Sequence, residues 1–333
     1  MPVTSQSMGV FHVVASIFCL YPILAAAIDT VKGSVTVFQA TGDEGPWKEP
    51  IEDFEARLDA PNATGNYRIA GPNISVPYTD DNTLDGWSWS LAVTADLPIA
   101  SELASKYGSE KFYTGGKLTF NAPASLLASS TQYLTVNDDW QICLFNWEIS
   151  NVDYPDKLRT DDGSCSSVLT SECITDLQKA VATRSSPYQC NCPVTKDILS
   201  CATLGDDSGL WQNTCVARLF NSTHIREWED GKLDTWTYGG ATLHDSGNVT
   251  DYNYIGSIAW PVMASFGTGT YQKGTLSCLR ATNGTQGSTA PTGKSFQDGT
   301  GSATSDEGSG SQMWLNTFWV IFGFVLASSA IAL

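Results

Sequence analysis

The 333-residue chain predicts a mainly β protein: a β-sandwich-like ectodomain carrying a small disulfide-rich helical insertion. Three observations predict it. Apolar and polar residues alternate in several short runs, Gly- and Pro-rich turns separate the runs, and seven of the eight cysteines beyond residue 27 crowd between Cys143 and Cys215. Alternation of period two puts one face of a strand in a core and the other in water.

The segments follow in order. Val10–Leu24 is mostly apolar and Ala25-Ala26-Ala27 supplies the small residues of a cleavage site, so residues 1–27 read as a signal peptide, although no Lys or Arg precedes the apolar stretch. The ectodomain spans 28–280. Its first part holds alternating runs at Val31–Phe38, Trp87–Thr94 and Lys117–Asn121; Trp87, Trp89, Leu91 and Val93 share one face and read as core. Trp140–Ile149 is apolar on both parities, the pattern of a central strand covered on both sides.

Residues 155–215 form the cysteine-rich helical insertion. Leu169, Cys173, Leu177 and Val181 recur every four residues, one stripe of a helix, and Cys173 on that stripe would staple the helix to its neighbour. A second short helix is expected near Thr195, after Pro193. Strands resume at Thr214–Phe220, Asp234–Tyr238, Ile255–Val262 and Thr275–Leu279, where a bond from Cys278 would tie the last strand back to the rest.

Residues 281–312 read as a Gly/Ser/Thr-rich stalk, since 19 of these 32 residues are of those three types. Met313–Leu333 carries no charge, follows the polar Thr304–Gln312, and that spacer follows the small residues Gly301, Ser302 and Ala303. Small residues, spacer and apolar tail are the signal for a GPI anchor, with attachment at Gly301 or Ser302. A retained transmembrane helix is the other reading, but no Lys or Arg follows Leu333 to orient one.

Cysteine arithmetic agrees with secretion. Cys19 falls in the leader, leaving Cys143, Cys165, Cys173, Cys190, Cys192, Cys201, Cys215 and Cys278, an even set for disulfides of open connectivity. Sequons at Asn62, Asn73, Asn221, Asn248 and Asn283 mark candidate N-glycans. Between residues 28 and 301, 18 basic residues face 33 acidic ones (35 less Asp306 and Glu307), a balance that argues against a nucleic-acid partner.

Chemistry is sparse. Beyond the leader only His224 and His244 remain, so no metal or cofactor is expected. Gly205-Asp-Asp-Ser-Gly209 has no histidine between the leader and Ser208 to act as base and reads as a turn. A glycosidase needs two carboxylates across a cleft. Glu148, with Glu227 or Glu229, is the best candidate pair, each beside a tryptophan, although surface acids are mostly just solvated. For sugar stacking, Trp236 and Tyr238, flanked by polar residues, read as exposed.

Ala25–Ala27, the cysteine-bearing ectodomain, the stalk and the Met313–Leu333 tail together resemble fungal secreted GPI-anchored cell-surface proteins. The resemblance covers both ends and the stalk. The eight-cysteine fungal surface domain used in haem capture is a compact helical module, and the wide gap before Cys278 does not fit it. The expected function is a non-enzymatic, GPI-anchored cell-surface or cell-wall glycoprotein that binds glycans or other surface partners. The alternative is a surface glycoside hydrolase.

Overall fold

The structure, a computed structural model, describes residues 34–292 except 36, 41–42, 80–81, 109, 129–131, 150–151, 154–155, 183–188, 205–214, 269–270 and 286. The leader with Cys19, the Gly205–Gly209 turn, Gly301, Ser302, most of the expected stalk and the Met313–Leu333 tail lie outside the described residues. No helix among the described residues is long and apolar enough to cross a membrane.

The fold is a β-sandwich, mainly β as expected. In chain order its elements begin with β1 (Ser34–Val35), β2 (Val37–Gln39), α1 (Ile51–Leu58), β3 (Ala63–Arg68), β4 (Gly71–Pro72), β5 (Thr83–Leu84) and β6 (Ser88–Pro98). Next come α2 (Ala104–Tyr107), β7 (Lys111–Asn121), β8 (Gln141–Trp147), β9 (Val152–Asp153), α3 (Ser171–Ala182) and β10 (Cys215–Asn221). The last are α4 (Ser222–Arg226), β11 (Lys232–Gly240), β12 (His244–Asp245), α5 (Val249–Ile255), β13 (Trp260–Thr268), β14 (Tyr271–Leu279) and β15 (Asn283–Gly284).

One sheet is seven-stranded, ordered β15-β3-β6-β7-β11-β2 with β12 added on β7; the facing sheet is β10-β8-β13-β14. Every pairing in both is antiparallel. The alternation around Trp87 does what it predicts: Trp89 pairs with Phe120 and Leu91 with Leu118, all fully buried. Their rings cross the sandwich, with Phe266 of β13 at 4.8 Å from Trp87 and 6.2 Å from Phe120. Tyr238 of β11 lies 4.3 Å from Trp260. Central β8 is covered on both faces, and its Cys143 reaches the insertion through a bond to Cys190.

The insertion is helical as expected. Leu169, Cys173, Leu177 and Val181 are all buried, and Cys173–Cys201 staples α3 to a 3-10 segment at Leu199–Leu204. A 3-10 turn occupies Thr195–Asp197. Cys192–Cys215 holds the start of β10, and Cys165–Cys278 ties β14 to the insertion, completing the pairing of all eight cysteines beyond Cys19.

Three boundaries differ from the sequence reading. Strand β7 begins at Lys111 rather than Lys117; Gly115 and Gly116 carry no side chain to reveal the alternation, yet both pair in register with Thr94 and Val93. The run expected as a strand from Ile255 starts as helix α5, capped by Asn248, whose Oδ1 accepts the Thr250 N–H at 2.9 Å; the strand begins at Trp260.

The fold also does not stop at residue 280. Residues 283–284 pair with Thr64 and Ala63, Tyr252 donates to the Thr289 carbonyl at 2.8 Å, and Ala281 and Pro291 are buried. Gly65 permits this closure, since a Cβ there would stand 1.7 Å from the Arg280 carbonyl oxygen. The described residues of the expected stalk, up to Thr292, belong to the domain.

Candidate functional site

The carboxylates proposed for glycoside hydrolysis do not meet. Glu148 follows the C-terminal end of β8, half-buried, and burial pushes its carboxyl above the usual range. Glu227 and Glu229 are exposed beyond α4. Strands β8 and β10 pair Gln141 with Asn221, so the polypeptide leading to Glu227 leaves the opposite end of β8 from Glu148. Seven residues of strand separate Gln141 from Glu148, about 23 Å at 3.3 Å per residue. Hydrolysis needs a carboxylate separation of about 5–10 Å. The pair is not an active site.

Trp236 and Tyr238 correct a second expectation. They are 6% and 0% exposed. Strand β11 is interior, between β7 and β2, and a register shift at Asp234/Trp236 accompanies the turn of both rings toward the facing sheet. Their exposed polar neighbour, Asp234, occupies the outer face, where it bonds Thr119 and Lys117. Of the other polar flanks, Thr235 is itself buried and donates to the Leu118 carbonyl, so a polar neighbour did not mark an exposed ring.

Three other aromatic rings gather at the surface. Phe38 projects from edge strand β2, 42% exposed. Trp47 stands 5.4 Å from it and 5.4 Å from Tyr107 of α2, edge to face in both contacts. Trp47 and Tyr107 are half-buried. The rim is charged: Lys48 pairs with Glu102 at 3.3 Å, and the Lys106 ammonium sits 4.7 Å over the Tyr107 ring.

The backbone presenting Trp47 is strained and held. Trp47 and Lys48 have φ of 57° and 60°, left-handed conformations that cost non-glycine residues roughly 1–3 kcal/mol each. Several bonds impose them. The Gly45 N–H reaches the Glu49 carbonyl at 2.7 Å, the Ala100 N–H donates to the Trp47 carbonyl, and the Trp47 indole N–H donates to the Gly240 carbonyl at 2.8 Å.

Beneath lies the Glu49 carboxyl, 3% exposed, which accepts from Arg57 Nε at 2.6 Å and the Tyr113 hydroxyl at 3.1 Å. Burial raises its pKa, while the bonds from Arg57 and Tyr113 oppose the rise. Gly239 lets Pro46 settle onto β11, because a Cβ there would meet the proline ring at 2.6 Å. A fixed apolar ring surface with a charged rim suits a ligand that has both an apolar face and polar edges. No alternation or spacing links residues 38, 47 and 107; the one local signal is Gly45-Pro46-Trp47-Lys48, a turn composition around an aromatic.

The sequons differ in how freely their amides are presented. Asn62 has both atoms engaged, Oδ1 accepting from the Ala95 N–H at 2.7 Å and Nδ2 donating to Ser288 at 3.1 Å. Asn73 Oδ1 accepts from the Ser75 N–H and hydroxyl. Asn221 and Asn248 are exposed helix caps that among the described residues bond only through Oδ1, and exposed Asn283 donates weakly to Thr282.

One buried acid-base pair lies between β12 and α5. His244 Nε2 stands 3.6 Å from Asp251, and its Nδ1 lies 2.9 Å from the Asp245 carbonyl and 3.7 Å from Asp96. Burial pushes the Asp251 carboxyl upward. The pair joins β12 to α5. No group of three or more His, Cys, Asp or Glu among the described residues is arranged to hold a metal ion. Comparisons with protein-family models, curated proteins and solved structures found no match to this chain.

Proposed function

We propose that this chain is a non-enzymatic, extracellular glycoprotein of fungal type, held at the plasma membrane or cell wall by a GPI anchor, that binds glycans through the Phe38–Trp47–Tyr107 surface. Four disulfides support an oxidising compartment, where such bonds persist. The observation that carries the binding role is the strained, multiply bonded turn that keeps Trp47 between two surface rings. Strain of this kind clusters where a ligand is met.

A glycan array probed with the secreted mature protein and with a Phe38→Ala/Tyr107→Ala variant tests the binding. The wild type should select one glycan class and the variant should lose at least tenfold in affinity, about 1.4 kcal/mol, with its unfolding midpoint little changed. Equal binding by both proteins, or none by either, sinks the assignment. The anchor has its own test: phosphatidylinositol-specific phospholipase C should release the protein from intact cells, and an intact Met313–Leu333 tail by mass spectrometry contradicts it.

A further inference from the structure

We propose that the N-linked glycan of Asn221 folds back onto its own protein, fills the cleft beside α4 and shields the C-terminal end of edge strand β10. The proposal rests on the reading of this chain as a secreted glycoprotein. Strand β10 is an edge, hydrogen-bonded to β8 along seven uninterrupted residue pairs and to no other strand among those described. Such an edge offers unpaired backbone groups to any passing strand, and proteins usually blunt it with proline, bulges or a cover. Cys215–Asn221 has no proline and no bulge; Cys192 is bonded to its first residue and Cys190 Sγ stands 3.6 Å from the Arg218 carbonyl, and the strand still presents half-buried Leu219 and Phe220 toward Asn221.

Against this strand lies an open cleft of about 600 Å³. Arg218, Phe220, His224, Glu227, Trp228 and Leu233 line it, with Phe220 edge-on to Trp228 at 5.7 Å. Asn221 sits between two of the lining residues, Phe220 and His224. Its Oδ1 is fixed by the His224 N–H at 3.1 Å, which orients the amide, while its exposed Nδ2 has no partner among the described residues. Ser222 and exposed Thr223 complete the sequon.

An N-acetylated sugar on that nitrogen has what the cleft asks for: a C–H face for Phe220, and hydroxyl and amide groups for Arg218, His224 and Glu227. In the modification an Nδ2–C1 bond forms as the C1–O bond to a lipid-diphosphate oligosaccharide donor breaks. The diphosphate leaves with the electron pair, and the amide proton passes to the transferase.

The test compares the full-length secreted protein from a eukaryotic host with its Thr223→Ala variant, which keeps the Asn221 cap and abolishes the sequon. Native wild type treated with peptide N-glycosidase supplies a third sample already folded. Glycopeptide mass spectrometry should find Asn221 occupied. Hydrogen exchange of β10 amides should then be severalfold slower in the untreated wild type than in the other two.

An unoccupied Asn221 with other sequons filled overturns the proposal and leaves the glycoprotein reading standing; no filled sequon overturns both. Occupancy without any difference in exchange overturns the packing. Protection that survives deglycosylation and grows with protein concentration assigns the edge to a second copy of the chain, and also overturns it.

Discussion

Asp251 keeps a carboxyl group 1% exposed beside an imidazole, and burial raises its pKa above the ordinary 3.8. A raised carboxyl in the folded state means that the native protein holds a proton the unfolded chain releases. The contribution is complete below about pH 4 and is lost as pH rises through the elevated folded value. Buried Glu49 and half-buried Glu148 shift in the same direction, again first through burial. Asp251→Asn, which preserves shape, should therefore flatten the dependence of unfolding free energy on pH above about 4, the ordinary carboxylate value. Denaturant titrations across that range measure it; an unchanged slope rules out Asp251 as a contributor. Trp89→Ala belongs to this scale too: with the indole fully buried against Phe120, the loss should be about 3–5 kcal/mol by chemical denaturation. Single residues were legible where neighbours shared their environment, as Trp89 shares the core with Leu91. Trp236 was not, because Asp234 beside it faces water while the ring faces the opposite sheet.

The disulfides make the strongest predictions among the elements. Cys165 and Cys278 are 113 residues apart, whereas Cys173 and Cys201 are 28 apart. In the chain-entropy account these loops restrict the unfolded chain by about 4.8 and 3.6 kcal/mol respectively. Replacing each pair by alanine should thus cost more for Cys165–Cys278 by about 1 kcal/mol, read from unfolding midpoints of the two double variants. An equal or reversed order means native-state packing outweighs loop length. The helix with the stripe from Cys173 to Val181 was readable because its four-residue spacing repeats. Strand β3 was not: Ala63-Thr-Gly-Asn-Tyr-Arg68 has little apolar content, and it forms by pairing with β6 on one side and β15 on the other. Its identity lies in its neighbours.

For the whole molecule, the two-layer β architecture followed from alternation, since burying one face of each strand leaves few ways to arrange two sheets. The ring surface did not, because Phe38, Trp47 and Tyr107 come from an edge strand, a turn and a short helix that only the finished fold brings together. The end of the domain was also misplaced, as Gly, Ser and Thr look like linker even when their backbones pair. Secreted protein truncated after residue 280 should therefore unfold at a lower temperature than protein ending at residue 292, since it loses β15, the Tyr252–Thr289 bond and the cover over β3. Matching midpoints refute that boundary.

The bond between Cys165 and Cys278 also sets the route of mechanical load. Under the proposed function, a chain gripped at its ring surface and retained through a C-terminal tether would be pulled from residues 38–107 toward residue 292. Tension entering from the tether first peels β15 from β3, then reaches Cys278 and crosses directly to Cys165. The 112 residues between them (113 less one), which include most of the helical insertion, β10, β11 and β13, hang in parallel with a covalent shortcut; of these, the stretch from Cys165 to Cys190 shares the load, because the Cys143–Cys190 bond joins it to β8 in parallel with the backbone from Cys143 to Cys165. Under oxidising conditions, a hard pull extends the molecule only by what lies outside that loop.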